Sequence, residues 1–415
     1  MWRFGFFFHD MAFGLLTVFI PLYVVLFQDT SILGGPLLAL GVMVSISIFC
    51  GIPASYFWGY LCDKTRHYKV FILLSFGSMA LILFLMSLPF AQSLIVFVAL
   101  YILLQMFHNA HDPPKNVLVT EHYSRRDWER AFGFYEGLTE IGFMIGLGIG
   151  AFLFASTIAF SLLATYTFYI CAILSLIAFI LAAALIADPL MIFERRLVGI
   201  ERTLDFTCRG IEGSARLLDG KPWNGSLKRD SFKAFALSIV LFALASSLFL
   251  TPLPIYLKAA FGGQGQFVYI AYILSSIGST VGYFLIRAKA NFIDIRKNMP
   301  RFILFRSISV FALAGVISFA IFPTILTYLI LLFFGFAFAM YFIMMLSLSM
   351  EIIPHGKSGL FDGMVALGAA VGAFIGPFLA NYFTFLPDQL VYVPIFLITA
   401  ILFLFSYIVL NGSRR

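Results

Sequence analysis

Residues 59–69 read Gly59-Tyr60-Leu61-Cys62-Asp63-Lys64-Thr65-Arg66-His67-Tyr68-Lys69. One acid, Asp63, and three strong bases, Lys64, Arg66 and Lys69, stand between apolar runs at about 34–61 and 69–90. Each run is long enough to cross a bilayer as a helix, and so short a polar stretch turns the chain back at the membrane surface. The same alternation continues in both directions. Twelve spans are predicted near 3–27, 34–61, 69–90, 93–119, 130–155, 158–187, 233–258, 264–287, 299–322, 324–350, 358–385 and 388–410.

Composition agrees. The chain of 415 residues is 61% hydrophobic and 11% charged, with a mean hydropathy of +0.99. A soluble globule carries roughly a quarter charged residues, so that class is excluded. The first span is too long, and lacks the small-residue site, for a removable signal peptide. Cys50, Cys62, Cys171 and Cys208 have no metal-type spacing and read as packing residues.

Lys and Arg set the sidedness. With the N-terminus inside, Arg3, the loop at 64–69, Lys115 to Arg130, the cluster from Arg195 to Lys233, Arg287 to Arg301, Lys357 and the C-terminal pair all face one side. Of the 27 Lys and Arg residues only Lys258 falls outside, and Arg306 lies within span 9. The positive-inside rule therefore predicts a multi-pass cell-membrane protein with both termini cytoplasmic. The net charge of +7 reflects this sidedness and the bilayer as partner; no nucleic-acid motif is present.

The chain also repeats at an offset of about 230 residues, as internally duplicated membrane proteins do. Pro21-Leu22-Tyr23 answers to Pro254-Ile255-Tyr256, and Phe71-Ile72-Leu73 to Phe302-Ile303-Leu304. Gly133, Gly142 and Gly146 answer to Gly363, Gly372 and Gly376. The expected architecture is an all-α membrane protein of two six-helix bundles, 1–187 and 233–415, related by a pseudo-twofold. The segment 188–232 is the expected linker. Asp188-Pro189 starts a helix there, and Leu190, Phe193, Leu197, Ile200 and Leu204 recur at helical spacing among bases, so an amphipathic surface helix is predicted.

The loop resembles the G-x-x-x-D-[RK]-x-G-x-[RK]-[RK] signature between helices 2 and 3 of the major facilitator superfamily. It agrees at Gly59, Asp63, Lys64 and Lys69 and departs at Arg66, where the pattern has glycine. Glycines 133, 142, 146 and 150 resemble the glycine-rich helix 5 of the superfamily's antiporters, without the proline that follows Gly376 in the second copy. Small residues at this spacing also serve ordinary helix packing. The resemblance implies a carrier driven by an ion gradient, with substrate bound between the halves. It further implies a conformational latch in which Asp63 docks at the start of span 11, beyond His355-Gly356-Lys357-Ser358, with Gly59, Arg66, Lys69 and Arg130 around it.

The repeat provides an internal control for the ionisable residues. The first half carries His9 and Asp10 in span 1, His108, His111, Asp112 and Lys115 in span 4, and Glu136 and Glu140 in span 5. The matched positions in the second half are Phe242, Ala243, Phe338, Tyr341, Phe342, Met345, Ala366 and Ala370. An ionisable group in a bilayer costs at least about 2.5–3.5 kcal/mol on insertion scales, so a fold-only role would predict some in both halves. Positions 108, 111, 112 and 115 form one expected stripe on span 4, with Pro113-Pro114 interrupting its hydrogen-bond ladder. Lys115 and Glu136 are also placed to snorkel to the surface.

A carboxylate in such a place can load and release a proton as a cavity opens alternately to each side. His9, Asp10, His108, His111, Asp112, Glu136 and Glu140 are thus the expected proton-coupling and substrate-cavity residues. Phe338, Tyr341 and Phe342 are the expected apolar lining. The expectation is a proton-coupled secondary transporter of a small organic solute, an exporter by antiport or a symporter for a sugar-like or acidic metabolite, acting as a monomer. No cofactor, resident metal or enzymatic activity is expected, and no nucleotide-binding loop occurs. Two alternatives use the same groups: a transition-metal carrier through His108, His111 and Asp112 with His9 and Asp10, and an intramembrane metal-dependent hydrolase, which lacks H-E-x-x-H.

Overall fold

The computed structural model describes all residues except 1–2, 28–29, 31–33, 66, 123–126, 157–159, 187–231, 290–294, 320–322, 353–358 and 413–415. Among the described residues there is no strand, and twelve helical segments are long and apolar enough to cross a membrane. Helices are what a bilayer permits, because each satisfies its backbone polar groups internally. The expected linker lies outside the described residues, with the amphipathic helix predicted in it, except for its last residue, Phe232, which begins a helix.

The helices of the first half are α1 (Phe4–Phe27), α2 (Pro36–Thr65), α3 (Tyr68–Met86), α4 (Leu94–His108), α5 (Asp112–His122), α6 (Trp128–Ala155) and α7 (Phe160–Leu185). Those of the second are α8 (Phe232–Leu250), α9 (Leu253–Ala260), α10 (Gly265–Lys289), α11 (Ile295–Phe319), α12 (Pro323–Ile352), α13 (Gly359–Tyr382) and α14 (Tyr392–Gly412). Large apolar side chains such as Phe49, Ile95, Phe152 and Phe311 are exposed on the outer faces, as lipid-facing residues must be.

Two predicted spans differ from single helices. Span 4 is not one continuous stripe: it breaks at Asn109–His111, and Asp112, Pro113 and Pro114 begin the new helix α5. A proline is at ease in a first turn, where its missing N–H would have had no partner, so the pair starts a helix instead of kinking one. Asn109 closes α4, and its side-chain Nδ2 donates to Gly51 O at 3.2 Å. Span 7 breaks likewise at Thr251-Pro252, between α8 and α9.

Each half is locked by a glycine-lined crossing. A Cβ on Gly142 or Gly146 of α6 would run into the backbone carbonyls of Phe7 and Met11 on α1. One on Gly372 or Gly376 of α13 would do the same at Leu244 and Leu248 of α8. Without a hydrophobic drive between helices in lipid, such close backbone approach supplies the packing energy. The halves meet along two seams, α6 against α10 and α2 against α13, the second including Ser45 Oγ donating to Ala370 O at 2.8 Å.

Candidate functional site

The ionisable residues of the first half converge where α1, α3, the α4–α5 break and α6 meet. His9 is fully buried, and His111 is 4% exposed. His9 Nε2 and His108 Nδ1 face each other at 3.2 Å, so one of the two carries the proton between them. Their rings stack at 5.2 Å, and Phe76 stacks on His9 at 4.4 Å. Phe6 and Phe13 enclose the group further, Phe13 lying 4.1 Å from the His108 ring.

The helix break gives these rings their partners. Ser75 of α3 donates its hydroxyl hydrogen to His108 O at 3.1 Å. The same oxygen lies 3.1 Å from His111 Nδ1 and therefore accepts from it. His111 Nε2 faces Asp112 Oδ1 at 3.5 Å. Lys115, one turn on in α5, reaches Asp112 Oδ1 at 3.2 Å and Glu136 Oε1 of α6 at 3.8 Å. It thus points into the protein among carboxylates and does not snorkel, and its Nζ also stands 5.6 Å from the Tyr135 ring. Asp10 lies within electrostatic range of Lys115, Glu136 and Glu140.

Glu140 belongs to a different place, the seam between the halves. Its Oε1 accepts a 2.6 Å hydrogen bond from Ser276 Oγ of α10. Glu129, in the first turn of α6, accepts one of 2.6 Å from Ser347 Oγ of α12. The sequence gives no cue to Ser276 or Ser347, because a serine in an apolar helix usually bonds back to its own turn. Asp362 of α13 was also missed; it brings an acid of the second half within electrostatic range of Asp112 and Lys115.

Phe338, Tyr341 and Phe342 stay together but do not line the cavity described next. Tyr341 is buried, with its ring 3.8 Å from Phe242, and Phe338 stacks with Phe342 at 5.5 Å. Arg306 of α11 enters this group 1% exposed, its guanidinium carbon 3.8 Å from the Phe334 ring and within 5.1 Å of Phe242, Phe338 and Phe403. A cavity of about 180 Å³ lies instead between α1, α2, α4 and the α8–α9 turn. Thr17, Tyr101, Gln105 and Thr251 are its polar lining, and Phe13 separates it from His108.

Of the expected latch, Arg66, the side chain of Asp63 and residues 353–358 lie outside the described residues. Gly59 is buried in α2, and Arg130 pairs with Asp127 of its own chain segment at 3.8 Å.

Twelve spans in two matched halves, with acids and a small cavity along the line where the halves meet, have the architecture of a membrane transporter. The model of the Major Facilitator Superfamily matches residues 4–377, and the chain belongs to that family. No curated protein matches the sequence. Among solved structures, the xylose transporter XylE from E. coli in a partially occluded inward-open conformation is similar at a TM-score of 0.71 and 14% identity, over 98% of this chain and 94% of that one. XylE described as a proton:xylose symporter bound to 6-bromo-6-deoxy-D-glucose gives a TM-score of 0.72 at 15% identity, with the same coverage. A structure reported for proton-dependent oligopeptide transporters gives 0.66 at 15% identity, over 100% of this chain and 98% of that one. At such identities the likeness establishes the fold.

Proposed function

We propose that this protein is a proton-coupled carrier of a small, uncharged organic solute, working by alternating access as a monomer in the cell membrane, with both termini cytoplasmic. The observation that carries the reading is Glu140. Its carboxylate bridges α6 and α10 across the seam through the 2.6 Å bond from Ser276. A group there changes its hydrogen bonding when it gains a proton, so the proton and the relative position of the halves become linked quantities. Asp10, Glu136 and Lys115 sit near it as a half-buried charge network.

Two features support the solute class. The cavity of about 180 Å³ is smaller than the roughly 300–1,000 Å³ that drug-sized ligands occupy. Its polar lining consists of hydroxyls and an amide with no charged side chain, which suits a neutral polyol or comparable metabolite. Similarity to a proton:xylose symporter and to proton-dependent oligopeptide transporters supports the coupling to protons.

The test is flux in liposomes of purified protein. Glu140→Gln keeps the size and the ability to bond Ser276 but cannot take up a proton. It is expected to lose at least ten-fold of the flux driven by a proton gradient, while solute-for-solute exchange continues. An undiminished response to the gradient in both Glu140→Gln and Asp10→Asn would remove the reading.

A further inference from the structure

The geometry assigns to His9, His108 and His111, with Asp112 beside them, a binding site for a divalent transition-metal ion of the zinc class. One ring nitrogen from each histidine lies within 4.8 Å of the others. Four-coordinate zinc with Zn–N bonds of about 2.0–2.1 Å needs its donors about 3.3 Å apart. The His9–His108 pair already stands at 3.2 Å, so only His111 has to close by an ångström or so. Two imidazole nitrogens pointed at one another must share a proton or a cation, and a metal at that point replaces the shared proton.

The surroundings are those of a held site. Ser75 Oγ, by giving its hydrogen to His108 O, takes the Nδ1 hydrogen of His111 and leaves the lone pair on His111 Nε2. That nitrogen is the one facing Asp112 Oδ1 at 3.5 Å, so a carboxylate adjoins the three imidazoles and the fourth position is left to a water. Lys115 holds that same oxygen at 3.2 Å and fixes the carboxylate beside the site. An orienting contact like that of Ser75, on a ligand's second nitrogen, typically governs ten- to hundred-fold in metal affinity. His9 Nδ1 is buried and has no hydrogen-bond partner, so His9 too has capacity that the protein alone does not use. Three neutral imidazoles select a borderline first-row ion over Mg²⁺ or Ca²⁺, which prefer an all-oxygen shell. The metal reaches the site from the Asp112 side, where the carboxylate side chain is 31% exposed.

All donors come from α1 and the α4–α5 break, so a bound ion ties the first half to itself and leaves the Glu140 seam untouched. Metal uptake is therefore readable without any substrate or gradient, and its failure is separate from failure of the transport reading. The experiment uses the full chain, without a polyhistidine tag, purified in detergent, stripped with a chelator and titrated with Zn²⁺ and, for its visible spectrum, Co²⁺. The expected result is one ion per chain and the strong visible absorption of a four-coordinate cobalt centre with nitrogen donors. His108→Asn and His111→Asn are expected to weaken binding at least ten-fold, and Ser75→Ala by about ten-fold. His67→Ala, at an exposed position before α3, is expected to bind as the parent does. Should a histidine variant fail to elute as a single species, the parent's cobalt spectrum still decides. No stoichiometric uptake, a six-coordinate spectrum, or unchanged binding in the well-folded variants would overturn the assignment.

Discussion

The two halves place different chemistry on matched positions of one scaffold. In the first half His9, His108 and His111 gather around Ser75. In the second, their counterparts Phe242, Phe338 and Tyr341 gather around Arg306, which follows Phe302 at the same distance as Ser75 follows Phe71. The first cluster is a hydrogen-bonded network whose members hold one another's protons. The second is a set of rings closed over one guanidinium, whose Nε and Nη1 have no hydrogen-bond partner, as has the Tyr341 hydroxyl. Helix packing, by contrast, is common to both halves. The comparison separates what the fold requires from what one half adds for a task.

The shared part should give the largest effects. Gly146→Ala forces a methyl into the Met11 carbonyl, and Gly376→Ala forces one towards that of Leu248. Both variants should lose most of their monodisperse yield in detergent, whereas Gly148→Ala, with nothing within 4 Å, should behave as the parent. Equal tolerance at 146 and 148 would mean that the α1–α6 crossing is looser than described.

The second cluster comes next. Phe334→Ala removes the ring closest to Arg306 from a buried position and should cost about 3–5 kcal/mol, read as a lowered unfolding temperature. Arg306→Met should leave stability within about 1 kcal/mol of the parent or raise it, because ring contacts only partly offset the cost of burying a charge. A loss in Arg306→Met as large as that in Phe334→Ala would show that the guanidinium has an anionic partner when the protein is at work.

A smaller loss than that of Phe334→Ala is expected in the first cluster. Ser75→Ala strands the His111 Nδ1 hydrogen and should cost about 1–3 kcal/mol in thermal unfolding. Its signature is specificity: the loss should shrink in a Ser75→Ala/His111→Phe double variant, since both ends of the bond are then gone. Additive losses would mean that the two residues stabilise the fold separately.

Much of this protein was legible from residues alone, and for one reason. A bilayer demands that each crossing satisfy its own backbone, so span number follows from local apolar length. The superfamily resemblance rested on the loop from Gly59 to Lys69 and was confirmed by a match over residues 4–377. The concentration of ionisable groups in the first half was equally visible, because the repeat supplied its own control. The Asn109–His111 break was misplaced, since a proline pair looks the same whether it kinks a helix or begins one.

What the tertiary structure alone decided is which of these groups meet. His9 and His108 are 99 residues apart in the chain and 3.2 Å apart in space. Glu140 leaves its neighbour Glu136 to join Ser276 in the other half, and Lys115 turns inward to Asp112 and Glu136. In a soluble protein an amphipathic stripe announces the buried face of a helix. Here lipid and core are both apolar, so the pattern carries no record of each helix's rotation about its axis. That rotation is set by glycine crossings such as Gly146 on Met11 and Gly372 on Leu244, and those exist only once the helices have packed.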